Sequence, residues 1–458
     1  MESEKAPLAL ETAPIGKLLM QYALPAILAM AAASLYNITD SIFIGHGVGS
    51  LALSGLAISF PLMNLSAAFA TLTGMGAAAL LSIRLGQKDY EAANTILGNT
   101  ITLNIIIGLA YSIVVFIFLK PVLCLFGASP DTLPYAYSFM QIILCGNVIT
   151  YLFFGLNAVL RSSGAPRKAM MATVFTVLIN LVLNPLFVFK FGWGIRGSAS
   201  ATVISQTLVL LWQMRFFSNK NNFIHLQKGI YKLRKKIVKD ALSIGLSPFL
   251  MNAAACVIVI LINRGLLDNG GDLAVGAYGI VNRVAFLFSM IVMGLNQGMQ
   301  PIVGYNYGAC LHRRVIQVLK IGIIGAVSVM SFGFAVVQIF PHAVASIFTT
   351  DKTLIDFAVT GLRCIFVLYP LVGFQMVTSA FFQSIGQPRQ AIIMSLTRQV
   401  IFLIPLLTIL PHYWGVYGVW LSPPIADFCS VTLAIILLTR QLRLFKTLGA
   451  RREEEVIH

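Results

Sequence analysis

A single carboxylate lies inside the first long apolar segment of the chain, in the stretch LYNITDSIFIGHGVGSLALSGL, Leu35 to Leu56. Between Lys17 and Arg84, Asp40 is the only charged residue. Removing a carboxylate from water carries a large desolvation penalty, so an acid in apolar surroundings commonly holds a proton, an ion or a substrate. Asp40 is therefore the first candidate for chemistry.

Three further oxygen-bearing side chains are predicted to lie at the same depth in the membrane as Asp40. In TVLINLVLNPLFVF, Asn180 and Asn184 are four residues apart, which puts both amides on one face of a helix. Pro185 frees the backbone carbonyl one turn earlier, at Leu181, which can add another oxygen ligand. Thr202 follows in GSASATVIS. One carboxylate, two amides and a hydroxyl predict a site for a hard cation or a titrating proton, although amides and hydroxyls also serve as bonds between helices.

Charged residues also interrupt the apolar segments of the second half. With a rise of about 1.5 Å per residue, Arg398 and Asp427 both reach the middle of a membrane, and we expect them to form a structural ion pair. Arg283 and Arg363 are equally deep. They either bind helix carbonyls or face a cavity.

The composition of the segments that carry these residues is that of a membrane protein. Of the 458 residues, 58% are hydrophobic and 10% charged, with a mean hydropathy of +0.85, whereas soluble domains carry about 25% charged residues. No signal peptide is expected, because the polar N-terminus holds acids and lacks a short apolar core with a cleavage site. The six cysteines are scattered without a CxxC pair and are interpreted as packing residues.

Twelve segments reach the length of about 20 apolar residues that a transmembrane helix needs. We predict an all-α polytopic protein with spans at about 17–43, 52–82, 93–119, 134–160, 168–189, 197–217, 240–263, 274–304, 315–340, 354–382, 390–410 and 415–439. With both termini cytoplasmic, the inner segments hold 23 Lys and Arg residues and the outer loops hold five. Basic residues collect in cytoplasmic loops, so this bias predicts the orientation.

The longest polar segment, NKNNFIHLQKGIYKLRKKIVKD, runs from Asn219 to Asp240 and separates spans six and seven. We interpret it as a cytoplasmic linker that can form a surface helix on anionic membrane lipid. Because the basic residues follow the inner loops, the net charge of +16 reflects membrane orientation, and no nucleic-acid partner is expected.

The two halves of the chain resemble each other at a nearly fixed offset of 222 residues. RSSGAPRKA (Arg161–Ala169) matches QSIGQPRQA (Gln383–Ala391), and Gly76 matches Gly298. Six spans per repeat give both repeats the same orientation, so we predict two pseudo-symmetric six-helix bundles around a shared cavity. The predicted domains are an N-terminal lobe at 1–218, a linker at 219–239, a C-terminal lobe at 240–443 and a cytoplasmic tail at 444–458.

The whole chain resembles the multidrug and toxic compound extrusion (MATE) transporters, in a DinF-like or MepA-like bacterial branch. The resemblance rests on the twelve spans and on NITDSIFIGHGVGSLALSGL, LRSSGAPRKA, NLVLNP, GIRGSASATVISQ and GMQPIVGYNYGA. It implies an antiporter of the bacterial cytoplasmic (inner) membrane that exports lipophilic, mainly cationic drugs in exchange for protons or sodium. No cofactor beyond the coupling ion is expected, and a monomer is sufficient for a two-lobe cavity.

The resemblance also implies a coupling-ion site, which maps onto Asp40, Asn180, Asn184 and Thr202, the residues already selected by depth. This branch usually reads N-x-x-L-D-P, but NLVLNP carries Asn184 where a second aspartate is expected. Half the fixed charge weakens sodium binding, so we favour a proton on Asp40. The carboxy-terminal acids of NorM-like members are absent, since span seven holds only Asp240 at its entrance.

The expected transport cycle is a rocking of one lobe against the other. Our hypothesis is that protonation of Asp40 rearranges spans one, five and six through hinges at Pro25 or Pro185 and displaces the drug. Candidate substrate contacts, for which ordinary packing is the alternative, are Tyr36, Asn37, Asn157, Arg283 and Arg363.

Two other transport functions stay open: a lipid-linked saccharide flippase of the related superfamily, which Arg283 and Arg363 keep in play, and an exporter of anionic amphiphiles. A membrane enzyme would need a catalytic constellation, and the six histidines are dispersed without one. We therefore predict no catalytic residue and no metal site beyond sodium at the coupling site. A ligand-gated receptor would not need the duplicated bundle.

Overall fold

The computed structural model describes residues 6–457 and is helical along most of them, with no strand in that range. Lys5, one of the predicted inner cations, and His458, the end of the predicted tail, lie outside the described residues. The helices are α1 Ala6–Thr12, α2 Ile15–Gly47, α3 Ser50–Gly86, α4 Tyr90–Ile117, α5 Leu119–Leu125, α6 Leu133–Ser162, α7 Pro166–Pro185, α8 Ile195–Ser218, α9 Lys235–Gly308, α10 His312–Ile339, α11 Pro341–Ser346, α12 Lys352–Phe366, α13 Tyr369–Ser384, α14 Pro388–Leu396 and α15 Ile404–Ile457, with π-helical segments Leu186–Lys190 and Thr397–Leu403.

Eight helical stretches in residues 6–457 are long and apolar enough to cross a membrane. A ninth span is formed by α12 and α13 together, which are bent by 51° where they meet. Two of the eight are long enough for two spans each: α9 leaves helical geometry at Gly271, and α15 does so at Gly415. With α8, whose Ser and Thr residues lower its hydropathy, the spans number the predicted twelve.

The backbone repeats along with the sequence. A residue in the left-handed region of φ occurs in each half at the same place, and the pairs are Gly49 and Gly271, Lys88 and Cys310, Gly164 and Gly386, and Gly194 and Gly415. Three of these pairs are 222 residues apart and the last is 221 apart. Lys88 and Cys310 (φ 60° and 58°) are not glycines, so sequence identity could not reveal their match. The shared turns support the internal repeat.

The polar linker is not a surface helix, which corrects that part of the sequence-based interpretation. Residues 219–234 form turns and irregular structure, and α9 begins only at Lys235. Side chains of α4 bond to the linker backbone instead: the Asn99 Nδ2 atom donates to the carbonyl oxygen of Ile230 at 3.0 Å. Because these groups satisfy the backbone, the linker does not need helical hydrogen bonds.

The chain divides into two compact units. Unit 1 contains Leu24–Phe249 and the N-terminal stretch up to Ala13, and unit 2 contains Pro14–Ala23 and the chain from Leu250 onward. Thus α2 and α9 each change unit near their beginnings, beside Pro25 and Pro248. The lobe boundaries at 218 and 240 stay predictions.

The core of unit 1 is built on α3 and α6. The two helices are packed against each other, both contact α4, and α6 also contacts α8. Polar bonds inside this core run between helices: the Tyr111 hydroxyl donates to the Leu62 carbonyl at 2.7 Å, and Ser66 donates to Asn147 Oδ1 at 2.7 Å. Such bonds join helices where lipid offers no hydrogen-bond partner.

The core of unit 2 is centred on α10 and α13. Phe366, Phe381 and Trp420 are among its fully buried side chains. Gly361 of α12 is packed against the Trp420 ring, which is 2.9 Å from the position of a Cβ atom there. A large ring opposite a glycine is the complementary packing that membrane helices use.

Glycine allows helix backbones to touch at one equivalent place in each unit. In unit 1 a Cβ atom on Gly76 would lie 1.9 Å from the Ala241 carbonyl oxygen and 2.9 Å from the Gly245 nitrogen. In unit 2 a Cβ atom on Gly298 would lie 2.5 Å from the Ala23 Cα atom. Gly298 and Gly245 are the repeat partners of Gly76 and Ala23, so the duplication preserves the same crossing.

We predict that Gly76→Ala lowers the thermal stability of the purified protein. A helical glycine-to-alanine change ordinarily gains about 1 kcal/mol, but here the methyl group meets backbone that must move, and we expect a net loss of roughly 2 kcal/mol. The matched control is Gly279→Ala, where a Cβ atom meets nothing within 4 Å. Thermal unfolding in detergent should show a lower midpoint for Gly76→Ala alone. A midpoint at or above that of the parent would contradict the close crossing.

Candidate functional site

The end of α7 positions the two amides that the sequence selected. Asn180 and Asn184 are one helical turn apart, and both are buried. Pro185 is the last residue of α7, and the chain continues in the π-helical segment Leu186–Lys190. Because proline has no N–H, the helical ladder is interrupted here, and the wider π turn follows.

A glycine-rich return brings α8 back against this segment. Gly192 and Gly194 have φ of 66° and 57°, which L side chains rarely adopt, and they turn the chain between the π-helical segment and α8. At Gly197 a Cβ atom would lie 2.9 Å from the Phe187 carbonyl carbon. The glycine therefore lets the first turn of α8 approach closely enough for Ser198 and Thr202 to face α7.

Asp40 meets this pair of helices from α2. Its Oδ1 atom accepts a hydrogen bond of 2.6 Å from Asn184 Nδ2 and a second one from the Ser198 hydroxyl. Asn184 Nδ2 also lies 3.3 Å from Ser198 Oγ, so the three side chains form one cluster. Asp40 is only 7% exposed. Two donors on one oxygen stabilise the carboxylate in surroundings that would otherwise disfavour its charge.

A second cluster lies beside the first and shares α8 with it. The Tyr36 hydroxyl and Thr202 Oγ1 are 2.7 Å apart, and Asn180 Nδ2 is 3.4 Å from the same Thr202 oxygen. Tyr36 precedes Asp40 by one turn of α2, as Asn180 precedes Asn184 on α7. The structure thus brings together all four predicted coupling residues and adds Tyr36, which the sequence suggested only as a substrate contact.

Ser198 is the site residue that the sequence analysis missed. It is fully buried and lies one turn before Thr202 on the same face of α8. The signal was present in GSASATVIS, because the i, i+4 spacing that selected Asn180 and Asn184 also joins Ser198 to Thr202. A serine in a membrane helix commonly bonds to its own backbone, so it does not stand out from the sequence.

Two oxygen atoms of the site are left available to a cation or a proton. Asn184 Oδ1 is buried and has no hydrogen-bond partner among the described residues. Both hydrogen bonds to Asp40 go to Oδ1, and Oδ2 accepts no hydrogen bond from the described residues. A buried acceptor without a donor carries a penalty, which a bound cation, water or proton relieves. No group of three or more His, Cys, Asp or Glu side chains forms a metal cluster within residues 6–457.

The remaining predicted substrate contacts of unit 1 differ in their surroundings. Asn157 is buried, and its Nδ2 atom donates to the Ala169 carbonyl at 2.9 Å and lies 3.3 Å from Thr173 Oγ1. This amide therefore joins α6 to α7. Asn37 is exposed and donates to the Ala33 carbonyl at 3.2 Å, one turn back on its own helix.

Unit 2 contains the predicted pair of Arg398 and Asp427. Arg398 Nε is 2.6 Å from Asp427 Oδ1, and the side chains are 26% and 7% exposed. Arg398 belongs to the π-helical segment Thr397–Leu403, and Asp427 belongs to α15. Nearby, the Tyr369 hydroxyl donates to the Ala285 carbonyl at 2.6 Å. The contact joins two consecutive spans of unit 2.

Arg283 and Arg363 lie on the exposed surface of unit 2. Neither takes part in a described salt bridge, although Gln338 donates to the Arg363 carbonyl at 2.9 Å. A guanidinium at membrane depth is strongly disfavoured against lipid tails, so these side chains require water or polar groups in front of them.

The two predicted hinges lie at different kinds of position. Pro25 is inside α2, directly after the residue at which that helix passes from unit 2 to unit 1. Pro185 ends α7 next to Asn184. Their role as hinges stays a prediction.

Comparison with known proteins places these features in a family context. The sequence model of the MatE family matches residues 25–186 and 244–409. The chain is similar to the multidrug export protein MepA of Staphylococcus aureus (strain NCTC 8325 / PS 47), with 28% identity over 439 residues, 95% of this chain and 96% of that protein. MepA of Staphylococcus haemolyticus (strain JCSC1435) is 27% identical over 428 residues, which are 93% of this chain and 94% of that protein.

Solved structures are similar over nearly the whole chain. The MATE multidrug transporter DinF-BH, solved as a complex, is 36% identical, with a TM-score of 0.87 over 95% of this chain and 97% of that chain. A MATE structure in the bent conformation is 23% identical, with a TM-score of 0.91 over 97% and 99% of the two chains. Such structures have twelve helices in two bundles, which confirms the predicted fold class.

We predict that the Arg398–Asp427 contact stabilises unit 2 only as a pair. Asp427→Asn should destabilise the protein by about 3 kcal/mol, because it leaves the Arg398 charge without its acid. The double variant Arg398→Leu/Asp427→Leu should recover most of that loss, since no charge stays buried. Thermal unfolding measures both, with Asp351→Asn as an exposed control. A double variant that melts below Asp427→Asn would disprove this account.

A second prediction concerns the position at which this chain departs from its expected branch. Asn184→Asp would put two carboxylates within hydrogen-bond distance, which requires a cation or a proton between them. We expect this variant to unfold at a higher temperature in sodium chloride than in choline chloride, and the parent to show no such difference. Sodium at about ten times its dissociation constant would contribute about 1.4 kcal/mol.

The matched control for this experiment keeps a single carboxylate and moves it. Asp40→Asn/Asn184→Asp should unfold at the same temperature in both salts. Sodium-dependent unfolding of the parent, equal to that of Asn184→Asp, would show that one carboxylate is sufficient for sodium binding.

Proposed function

This chain belongs to the MatE family of membrane transporters, and from that membership we propose that it is a multidrug exporter driven by protons that bind Asp40. It is a multi-pass membrane protein, and members of the family are transporters and not enzymes. The proposed place is the bacterial cytoplasmic membrane with both termini inside, which the distribution of basic residues supports.

The observation that carries the proposal is the bonding of Asp40. Its carboxyl group lies between α7 and α8 with two hydrogen-bond donors on one oxygen. Among the described residues of unit 1, it is the only buried acid. A change in its protonation therefore changes the largest electrostatic interaction available to these helices, and binding of a proton can be linked to their rearrangement.

The amide at position 184 favours a proton over sodium. When Asp40 is ionised, Asn184 Nδ2 donates to it, as at 2.6 Å here. When Asp40 is protonated, the same amide can rotate and accept the carboxyl proton through Oδ1, which has no other partner among the described residues. An ionised aspartate in that place could not donate to an ionised neighbour, because a carboxylate only accepts hydrogen bonds. Asn184 thus suits both protonation states of one acid.

The proposed cargo is a class of lipophilic, mainly cationic compounds. The relatives MepA are named multidrug export proteins, and DinF-BH is named a multidrug transporter. A cation close to Asp40 is stabilised when that carboxylate is ionised and loses this attraction when the proton binds. Proton and drug then exclude each other, which is the linkage that an antiporter needs. Tyr36, one turn away on α2, offers an aromatic face for such a cation.

The proposed transport cycle alternates access by rocking of the two lobes. The position of Pro25 and the change of unit beside it make α2 a suitable hinge, because proline interrupts the helical ladder and lowers the resistance to bending. In this cycle protonation of Asp40 would remove its charge and reverse the direction of its hydrogen bond with Asn184, and the bend of α2 would follow.

A second candidate function is export of anionic amphiphiles, including the lipid-linked saccharides of a flippase. The observation that favours it is the exposure of Arg283 and Arg363 at membrane depth, since guanidinium groups bind carboxylates and phosphates. The bonding of Asp40 does not suit an anionic cargo, and we rank this candidate second.

We predict that a proton gradient drives ethidium or norfloxacin transport in proteoliposomes, and that Asp40→Asn lowers the rate at least tenfold. A sodium gradient alone should drive little transport, because the site offers a single carboxylate. Asp351→Asn is the matched control: this exposed acid is the N-cap residue before α12 and accepts from Thr353 N at 2.9 Å, and its loss should leave the rate unchanged.

Each other result has a definite meaning. Transport driven by a sodium gradient alone would overturn the assignment of the proton as the coupling ion. Full proton-driven transport in Asp40→Asn would overturn the role of Asp40. No drug movement under either gradient would overturn multidrug export and leave the anionic cargo to be tested.

A further inference from the structure

The linker between α8 and α9 is bound along one face of α4. We define residues 223–236 as the linker strap. Asn94 accepts from His225 N at 2.8 Å and lies 3.4 Å from the Phe223 carbonyl oxygen. Asn99 accepts from Arg234 N at 2.9 Å. Two asparagines on α4 thus hold both ends of the strap by its backbone.

The middle of the strap lies directly on the α4 backbone. A Cβ atom on Gly98 would be 2.4 Å from the Ile230 carbonyl oxygen. One turn further, the Thr102 hydroxyl donates to the Tyr231 carbonyl at 3.0 Å. The backbone of the strap therefore has fixed positions, and so do the points at which its side chains leave it.

The face of α4 that the strap covers continues beyond it as a bare apolar stripe. After Thr102, at helical spacing, come Ile105, Ile106, Leu109 and Ile113, which are 37%, 48%, 48% and 57% exposed. Bare aliphatic side chains on a membrane helix face lipid tails. The strap thus reaches furthest along α4 at Thr102, where the Tyr231 carbonyl lies next to the start of the bare stripe.

The exposed side chains of the strap combine two interfacial residues with a group of lysines, as is suited to a membrane surface with anionic phospholipid heads. Tyr231 and Leu233 are 44% and 38% exposed, as is typical of side chains at a membrane interface. Lys232, Lys235 and Lys236 are exposed beside them. One acid is close: Glu91 Oε1 lies 3.3 Å from Arg234 Nη2. The neighbouring lysines therefore give the strap a surplus of positive charge.

We propose that the linker strap and the bare stripe of α4 form a binding site for one anionic phospholipid of the adjoining leaflet. The lipid phosphate lies against Lys232, Lys235 and Lys236, and an acyl chain lies along Ile106 and Leu109. Fixed cations next to a lipid-facing stripe select a molecule that has both an anionic head and an apolar tail, and this combination excludes nucleic acid.

The test uses the full-length protein with a tryptophan reporter in the strap. Tyr231→Trp is placed in vesicles that contain phosphatidylglycerol or phosphatidylcholine with brominated acyl chains, and the fluorescence is compared with that of the parent. We expect the added tryptophan to be quenched at a much lower fraction of brominated phosphatidylglycerol than of phosphatidylcholine. Equal quenching by both lipids would overturn the proposal.

Two further variants separate a fixed site from diffuse attraction. Adding Lys232→Gln/Lys235→Gln/Lys236→Gln should weaken the preference for phosphatidylglycerol about tenfold or more. Removing three exposed cations elsewhere, in Lys17→Gln/Arg167→Gln/Arg389→Gln, should leave it unchanged. An equal loss in this control would mean that net charge alone attracts the lipid, and would overturn the site.

The last variant removes no charge. Thr102→Val deletes the donor to the Tyr231 carbonyl and keeps the shape of the side chain. We expect it to reduce the preference severalfold, because the strap loses its fixed position at the lipid boundary. An unchanged preference for phosphatidylglycerol in Thr102→Val would overturn the claim that a fixed position of the strap on α4 is needed for lipid binding.

Discussion

The structure depends on one constraint: a charged group that is held inside a membrane away from water needs hydrogen-bond partners from the protein itself. Asp40 is the strictest case, because a carboxylate is among the groups most disfavoured there. Its two donors come from α7 and α8, so both helices must approach α2 closely. Gly197 and the left-handed glycines at 192 and 194 permit that approach. The turn chemistry around the site therefore follows from the charge at its centre.

The same constraint explains why small residues recur where helices cross. Without a hydrophobic driving force between helices in lipid, close packing and hydrogen bonds hold the bundle. Gly76 and Gly298 bring backbones into contact at equivalent crossings of the two units. The left-handed residues Lys88 and Cys310 end equivalent helices. The duplicated sequence has diverged widely, yet it keeps the residues and backbone angles that these contacts require.

The sequence predicted the spans and most of the site because depth in the membrane and spacing along a helix can be counted in residues along the chain. Counting residues from the helix ends brought Asp40, Asn180 and Asn184 to one level. In the structure Asn184 bonds to Asp40, and Asn180, one turn earlier, lies 3.4 Å from Thr202. Ser198 was missed because a serine carries no cost that makes it conspicuous. The linker was wrongly predicted to form a helix, because its partners Asn94 and Asn99 are more than 120 residues away. The sequence of one segment does not show that its backbone groups are hydrogen-bonded by side chains of a distant segment.

The presence of Asn184 where an aspartate is expected changes how the site is hydrogen-bonded in each protonation state, and not only its charge. Two facing carboxylates have no stable ionised state without a cation or a shared proton, so their arrangement depends on what is bound. An acid facing an amide is satisfied when ionised, and a rotated amide satisfies it when protonated. The cluster of Asp40, Asn184 and Ser198 can therefore keep its hydrogen bonds while its charge changes. What changes instead is the attraction of the site for a cationic molecule, and this is the quantity that an antiporter must control.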